Sequence, residues 1–281
     1  MTDSISEWIE SHLVDDERFG EAYASVPDEH RALLKTLIAR LWDWSSPERF
    51  AASSCERIGH DGWATSELSV PADWAVFVCG PDLDSPARLL SAVVPAIAAG
   101  VKEILAIRIG GSAWAGALLT ALELAGVELV AELDEDRLPI FFNEMNARSG
   151  HGRYVFLGTV DVETEENIQP ISLPAQGHGI IVGAGQDSFD FQALRFAHPT
   201  LEITVYGDMP IPDDILLHRA QKGESWQNAC ANVAFVANQH VRAAAGAFPL
   251  VLASGNEFCW IWPSLRSASF VNHSVCWTNG A

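Results

Sequence analysis

Apolar residues recur at helical spacing near the start of the chain. They are Leu33, Leu34, Leu37, Ile38 and Leu41. This spacing places them on one helix face and predicts a helical arm over residues 4–45. Ser4, with Glu7 three residues later, matches a capping box at the start of the arm. Residues 46–70 mix helical and loop signals, and we expect them to lead into the main fold.

In the middle of the chain, short apolar runs alternate with helical patterns. The run "WAVFVCG" (74–80) predicts a buried strand. The next helix is expected to have Ser85 as its N-cap, Pro86 as its first residue and Gly100 at its end. A second strand, a second helix that ends at Gly126, and a third strand follow. This alternation predicts parallel strands joined by right-handed crossovers, which is a Rossmann-like unit.

A later stretch repeats this arrangement. Residues 177–208 again predict strand, turn, helix and strand, with Gly and Asp after an apolar strand as in the first unit. The similarity suggests an internal duplication, and residues 211–240 are expected to add another helical stretch. The sequence therefore predicts an α/β fold of two Rossmann-like lobes with parallel sheets, preceded by an N-terminal helical arm.

Composition and charge narrow the classes of partner. The 281 residues are 48% hydrophobic and 19% charged, which is typical of a globular protein with a large core. The 37 acidic and 17 basic residues give a formal net charge of −20. Because binding to phosphates is driven by basic contacts that release counterions, we expect neither nucleic acid nor an anionic membrane surface as a partner.

Sequence features also favour a cytoplasmic protein. The N-terminal residues have neither the basic region nor the apolar stretch of a signal peptide. The longest apolar run, 89–101, contains Pro95 and Gly100 and is too short to span a bilayer. Five scattered cysteines without a CxxC pair fit reduced thiols better than a disulfide framework.

Two parts of the chain carry a family resemblance. In the first, Phe77, Val78 and Gly80 form a strand end and Pro86 opens a helix, followed by Pro-Ala and Ala-Gly-Val steps. In the second, the stretches are "NQHVRAAAGAF", "WPSLRSASF" and "VNHSVCW". In these framework positions the sequence resembles histidinol dehydrogenase, with patchy coverage of roughly residues 74–277.

The resemblance implies an aldehyde-dehydrogenase-like fold. In that fold, residues 71–174 form an inserted first Rossmann-like half, and residues 1–70 with 175–281 form the other lobe with the helical arm. The resemblance also implies a homodimer, a zinc ion that positions the substrate, a Glu-His pair for acid–base chemistry, and NAD as the hydride acceptor.

The zinc ligands that the resemblance implies are poorly matched here. His198 stands where the family has a histidine, but Arg195 replaces a glutamine, and a guanidinium has no lone pair to offer a metal. Asn256 replaces an aspartate and brings no charge to offset the ion. The last ligand belongs to a C-terminal tail that this sequence does not reach. We therefore expect no zinc site.

The acid–base pair is also altered. His240 matches the histidine of the family, but Gln239 replaces the glutamate, and an amide cannot accept a proton from a hydroxyl at neutral pH. A second histidine of the family is replaced near Trp260. The plainest interpretation of His198 and His240 is that they are ordinary helix and loop histidines of the scaffold.

Some positions of the cofactor lobe match the family, and others disfavour the binding of NAD. The resemblance places Phe77, Gly80 and Pro86 at the NAD-binding lobe. The turn at 134–136, with three carboxylates, stands where a glycine-rich turn is expected, and it would repel an anionic dinucleotide. The sequence therefore favours a chain without a cofactor, with NAD as the alternative.

A different class of function is suggested by residues 180–208 alone. A strand, Gly183 and Gly185, a helix, a strand and a closing Asp208 also fit the first motif of methyltransferases that use S-adenosylmethionine. The signal is weak, because a GxG after a strand is common.

The leading hypothesis is a histidinol-dehydrogenase-like protein that has lost zinc-dependent oxidation and acts as a small-molecule binder or an assembly scaffold. Its ligand pocket would be lined by Arg195, His198, Asn256 and Trp260, with tryptophans refilling the space of the metal. Trp260, Trp262 and Trp277 also fit core or subunit-interface positions. The alternative is an active NAD-dependent dehydrogenase of altered substrate that uses His240 and Gln239.

Overall fold

Three helices open the fold in the computed structural model, which describes residues 7–45, 52–60, 62–111, 113–148, 150–161, 169–185 and 187–279. They are α1 (Glu7–Glu10), α2 (Asp16–Ser25) and α3 (Asp28–Ser45). The predicted arm is therefore divided: α2 ends at extended Val26, because Pro27 disfavours helical geometry at the residue before it. The predicted cap at Ser4 lies outside the described residues.

The first sheet has five parallel strands in the order β5-β4-β3-β6-β7. They are β3 (Trp74–Cys79), β4 (Glu103–Arg108), β5 (Leu129–Glu132), β6 (Arg153–Leu157) and β7 (Ile171–Leu173). The helices between them are α4 (Pro86–Ala99), α5 (Gly116–Ala125) and α6 (Leu138–Ala147). The predicted ends of α4 are confirmed: Ser85 accepts a hydrogen bond from the Arg88 amide, and left-handed Gly100 ends the helix.

The second sheet also has five parallel strands, in the order β10-β9-β8-β11-β12. They are β8 (His178–Val182), β9 (Glu202–Tyr206), β10 (Leu217–Arg219), β11 (Val233–Val236) and β12 (Leu250–Ala253). Two short helices, α7 (Phe191–Ala197) and α8 (Val241–Ala244), accompany them. The predicted α/β class with two Rossmann-like parallel sheets is therefore confirmed.

The expected helical stretch over residues 211–240 is wrong. This segment contains β10, a 3₁₀ turn (Trp226–Asn228) and β11. Pro212 and Gly223 disfavour a continuous helix. Residues 233–236, "VAFV", are all buried and pair with both β8 and β12, so tertiary pairing makes them a central strand.

A third, antiparallel sheet joins distant parts of the chain in the order β1-β2-β13. Its strands are β1 (Ser53–Ile58), β2 (Trp63–Pro71) and β13 (Val271–Asn279). The segment with mixed helical and loop signals is thus mainly a hairpin, and its second strand pairs with the C-terminal strand β13. The division of the chain at residues 70/71 and 174/175 into an inserted half and an outer lobe stays a prediction.

Helix α4 lies at the centre of the core, and all of its residues except Ile97 are buried. One continuous apolar cluster includes Phe77 of the first sheet, Leu90 of α4 and Phe235 of the second sheet. Helix α3 packs on α4, and α2 packs on α5, so the arm covers these two helices of the first Rossmann-like unit. No helix in the described part of the chain is both long and apolar enough to cross a membrane.

We predict that Leu90→Ala destabilises the protein by about 3 kcal/mol, because it leaves a cavity where a fully buried side chain of α4 had packed. Urea unfolding monitored by far-UV circular dichroism measures the change. Ile140→Ala is the matched control, since Ile140 is 54% exposed and its truncation is expected to cost less than about 1 kcal/mol. Equal costs for the two variants would contradict the central place of α4.

Candidate functional site

A cavity of about 420 Å³ lies at the carboxyl ends of β8 and β9, and we call it the edge cavity. Its lining includes Gly183, Tyr206, Lys222, Glu224, Trp226 and His240. The chain runs from β8 outward to β9 and β10, then returns to place β11 on the other side of β8. Ligands of open parallel sheets bind outside the carboxyl ends of the strands. The edge cavity lies at the ends of β8, β9 and β10, and His240, which follows β11, reaches it from the other side of the reversal.

The floor of the edge cavity is a tight glycine turn after β8. The Ala184 amide donates to the Asp187 carboxylate at 2.8 Å, and the Gly185 amide donates to Asp208 at 2.8 Å. Gly207 packs directly on this turn, since a Cβ at Gly207 would lie 1.7 Å from the Gly183 carbonyl oxygen. One oxygen of Asp208, which the methyltransferase motif would assign to a ribose, is thus already used by the turn.

Aromatic rings and charges form the walls of the edge cavity. The rings of Trp226 and His240 meet edge to face with centroids 6.2 Å apart. Burial and the nearby Glu224 carboxylate raise the pKa of Tyr206, so its hydroxyl stays protonated at neutral pH. Lys222 adds a cation to the lining. The cavity can therefore contact both a flat ring and a charged group.

The two predicted catalytic residues reach this cavity differently. The His240 ring lines the edge cavity, just before α8. The Gln239 side-chain amide donates to Asp187 at 3.3 Å, the same carboxylate that holds the glycine turn. Gln239 therefore supports the turn, while His240 is the one of the pair placed to touch a ligand.

His198 lies elsewhere, buried with 1% of its surface exposed. Its Nε2 is 3.1 Å from the Cys259 carbonyl oxygen, and its Nδ1 is 3.3 Å from the Ser85 hydroxyl. Burial, with the charge of Arg88 as the next cause, lowers the pKa of His198 to about 3. The ring is therefore a neutral core group with both nitrogens in polar contact within the protein.

The other predicted pocket residues are also engaged internally. Arg195 pairs with Asp214 at 2.5 Å, and Asn256 accepts a hydrogen bond from Arg40 at 2.6 Å. Trp260 is buried, 5.3 Å from the His198 ring between centroids. These residues do not fit a zinc ion: a guanidinium and an indole N–H have no lone pair to offer a metal, and the Asn256 side chain already accepts from Arg40. The described residues contain no group of three His, Cys, Asp or Glu side chains that could hold a metal.

The two histidines face opposite sides of the second sheet. His198 packs beside Phe235, which belongs to the cluster around α4. His240 packs beside Trp226, which joins the separate apolar cluster on the other face. Successive side chains of a strand alternate between faces, so the two rings do not share one site.

The residues predicted to bind NAD lie within the core. Phe77 is fully buried and packs near Phe270, with ring centroids 6.1 Å apart. Gly80 is buried so closely that a Cβ there would lie 2.3 Å from the Thr159 carbonyl oxygen. Pro86 is a buried residue of α4. None of the three side chains presents a surface to a dinucleotide, and their role in NAD binding stays a prediction.

The acidic turn at 134–136 is exposed to solvent. Its carboxylates begin the short 3₁₀ turn (Glu135–Arg137) before α6. Because water and salt screen exposed charges, the repulsion expected for a dinucleotide is weaker than it would be in a closed cleft.

The sequence does not predict Tyr206, Lys222, Glu224 and Trp226 as members of a site. A usable signal was present in the glycines and acid of residues 183–208, which mark a tight turn after a buried strand. The remaining members belong to the segment that was assigned to a helix, where they would not have met this turn.

No family model matches the chain, and no curated protein matches it by sequence. Among solved structures it is similar to a histidinol dehydrogenase from Elizabethkingia anophelis, at 10% identity with a TM-score of 0.59, over 95% of this chain and 77% of that chain. It is also similar to a succinate-semialdehyde dehydrogenase from Burkholderia pseudomallei, at 11% identity with a TM-score of 0.48, over 94% and 84%. The first likeness confirms a dehydrogenase-like fold, while membership of the histidinol dehydrogenase family stays a prediction.

The depressed pKa of His198 predicts a pH dependence of stability. In the unfolded chain His198 has the ordinary histidine pKa of 6.5 and is protonated below that pH. In the folded state the ring stays neutral down to about pH 3. The contribution of this group to stability is therefore complete above pH 6.5 and falls as the pH drops, by up to about 1.4 kcal/mol per pH unit.

His198→Gln should reduce this slope between pH 6 and 4 in urea unfolding. His218→Gln, which removes an exposed imidazole, is the matched control and should keep the wild-type slope. Identical slopes for wild type and His198→Gln would show that His198 is not buried in its neutral form.

Proposed function

We propose that the protein is a small-molecule binder on a dehydrogenase-like fold, with the edge cavity as its binding site and without zinc-dependent oxidation of histidinol. One observation carries the proposal. Arg195 and Asn256 at the zinc positions are bonded to other protein groups, whereas His240 lines an open cavity at the carboxyl ends of β8 and β9.

The lining of the edge cavity suggests the class of ligand. Trp226 and His240 offer ring surfaces, and Tyr206 adds a protonated hydroxyl. Lys222 and Glu224 offer one charge of each sign. We infer a ligand with an aromatic or heterocyclic ring and at least one charged or strongly polar substituent.

The turn beneath the ligand would supply rigidity rather than chemistry. Asp187 holds both the Ala184 amide and the Gln239 side chain, and Asp208 holds the Gly185 amide. A site whose polar groups are fixed before binding loses little entropy when the ligand arrives. Under this proposal His240 recognises the ligand, and in the alternative of an active dehydrogenase it would be the acid or base.

Calorimetric titration with NAD, histidinol and S-adenosylmethionine tests the site, because each probe combines a ring with charge. We expect saturable binding of at least one probe, weakened about tenfold by Trp226→Leu through loss of ring contact. Trp44→Leu is the matched control, since Trp44 is partly exposed and lies beside Arg266, outside the cavity lining.

The same preparation distinguishes the binder from an enzyme. With NAD, histidinol and added zinc, absorbance at 340 nm should not rise above the protein-free blank. Turnover that is abolished by His240→Ala would overturn the proposal and establish the dehydrogenase alternative. Binding of none of the three probes would count against the inferred ligand class.

The second candidate function is that of an assembly scaffold that forms a homodimer. The three-stranded sheet favours this candidate. One face of this sheet exposes Trp63, Val275 and Trp277, and the rings of Trp63 and Trp277 stack with centroids 5.0 Å apart. Its three strands carry only two glutamates and one arginine. A nearly neutral apolar face on so acidic a chain is suited to a second copy, because it limits the repulsion between copies.

Light scattering coupled to size-exclusion chromatography measures this assembly. The wild type is expected to elute with twice the 30.5 kDa chain mass, and Trp277→Glu is expected to shift it toward one chain mass, because a carboxylate would enter the apolar interface. Ile215→Glu is the control, since Ile215 is 88% exposed and lies outside the sheet. A monomeric wild type would reject this candidate.

A further inference from the structure

Arg88 of helix α4 is a buried cation without an acidic partner. Its side chain is among the largest that are fully buried, with 2% of the residue exposed. It forms no salt bridge with the described acids, and its Nε and Nη2 atoms have no hydrogen-bond partner among the described residues. Burial lowers the pKa of Arg88 to about 10, so the guanidinium is still charged at neutral pH.

A second buried arginine, Arg108, is better satisfied, although its Nε also has no hydrogen-bond partner among the described residues. Arg108 is 3% exposed, and its guanidinium donates to the carbonyl oxygens of Leu83 at 2.6 Å and Pro81 at 3.0 Å. It also lies 3.6 Å from the Asp84 carboxylate. Arg88 has instead the face of Trp260, with the guanidinium carbon 4.3 Å from the ring centroid. A ring face offsets part of the charge, but it accepts no hydrogen bond from Nε or Nη2 in the guanidinium plane.

A cavity of about 110 Å³ lies against Arg88. Its buried floor includes Arg88, Trp260 and Trp262, and its exposed rim includes Gln176 and Asn232. This volume is that of about three to four water molecules at liquid density, which is enough for a carboxylate or a phosphate group. Among the described lining residues, Arg88 alone carries a charge.

Two residues that line this cavity, Arg88 and Trp260, carry buried donors without partners. Nε and Nη2 lie on one edge of the guanidinium, which is an arrangement that binds two oxygens of one anion. The indole N–H of Trp260 is also buried without a partner in the described structure. The indole N–H of Trp262 is not available, because it donates to the Arg88 carbonyl oxygen at 3.0 Å.

We propose that this cavity binds a small oxyanion, a carboxylate or a phosphate group, held by the Nε–Nη2 edge of Arg88 and the indole N–H of Trp260. The anion neutralises the buried cation and ties α4 to the segment 260–263. This site is separate from the edge cavity, because the two cavities share no lining residue. It does not rest on the proposed function.

Thermal unfolding in inorganic phosphate, in acetate and in sodium chloride at equal ionic strength tests the site. The wild type is expected to show a saturable rise in Tm with phosphate or acetate beyond that in chloride. The steeper of the two curves identifies the preferred source of the oxyanion. Arg88→Met should weaken the apparent affinity about thirtyfold, because the charged two-point hydrogen bond is lost.

Arg266→Met is the matched control and should keep the wild-type response. Arg266 also lies 4.3 Å from a ring centroid, that of Trp44, but it is only partly buried and is not in the cavity lining. Trp260→Phe keeps the ring and removes the N–H donor, so it should weaken the affinity about fivefold even if Arg88→Met fails to fold. A wild-type Tm that is the same in all three salts would overturn the proposal, as would a Trp260→Phe response equal to that of wild type.

Discussion

The burial of helix α4 between the two parallel sheets is the constraint on which the rest of the structure depends. A helix with apolar side chains on every side is stable only when it is covered all round. Two hydroxyls reinforce this position: Ser85 donates to the Ala197 carbonyl oxygen and Ser91 to the Trp260 carbonyl oxygen, both at 2.6 Å. The sheets therefore share one core, and separating them would expose apolar surface and unpaired hydroxyls.

This shared core determines where chemistry can occur. The positions predicted for NAD, and His198 of those predicted for zinc, lie in the core around α4. There Phe77 is fully buried, and burial keeps His198 neutral. Groups open to solvent lie at the carboxyl edge of the second sheet, around His240 and Trp226. Arg88 is a cation left inside the core without an acidic partner and with two unpartnered donors, and the buried Glu257 likewise has one carboxylate oxygen without a partner among the described residues.

Much of the fold could be predicted because its signals are local. The strand before Gly80, the N-cap Ser85 and the terminal Gly100 act within a few residues of each other, so the sequence indicates the start and end of α4 directly. The candidate site was less predictable. His240 was identified, but Trp226 and Lys222 belong to the segment 211–240, where strand pairing overrode the local pattern.

The sequence by itself determined the α/β class, the two parallel units and the ends of their main helices, because apolar periodicity and capping depend on neighbouring residues. Only the tertiary structure decided which side chains meet. Three such arrangements involve residues distant in the chain. They are the pairing of β2 with β13, the position of Arg88 over Trp260, and the separation of His198 from His240 by a sheet. Such contacts arise from the packing of whole sheets and helices, so no local pattern encodes them.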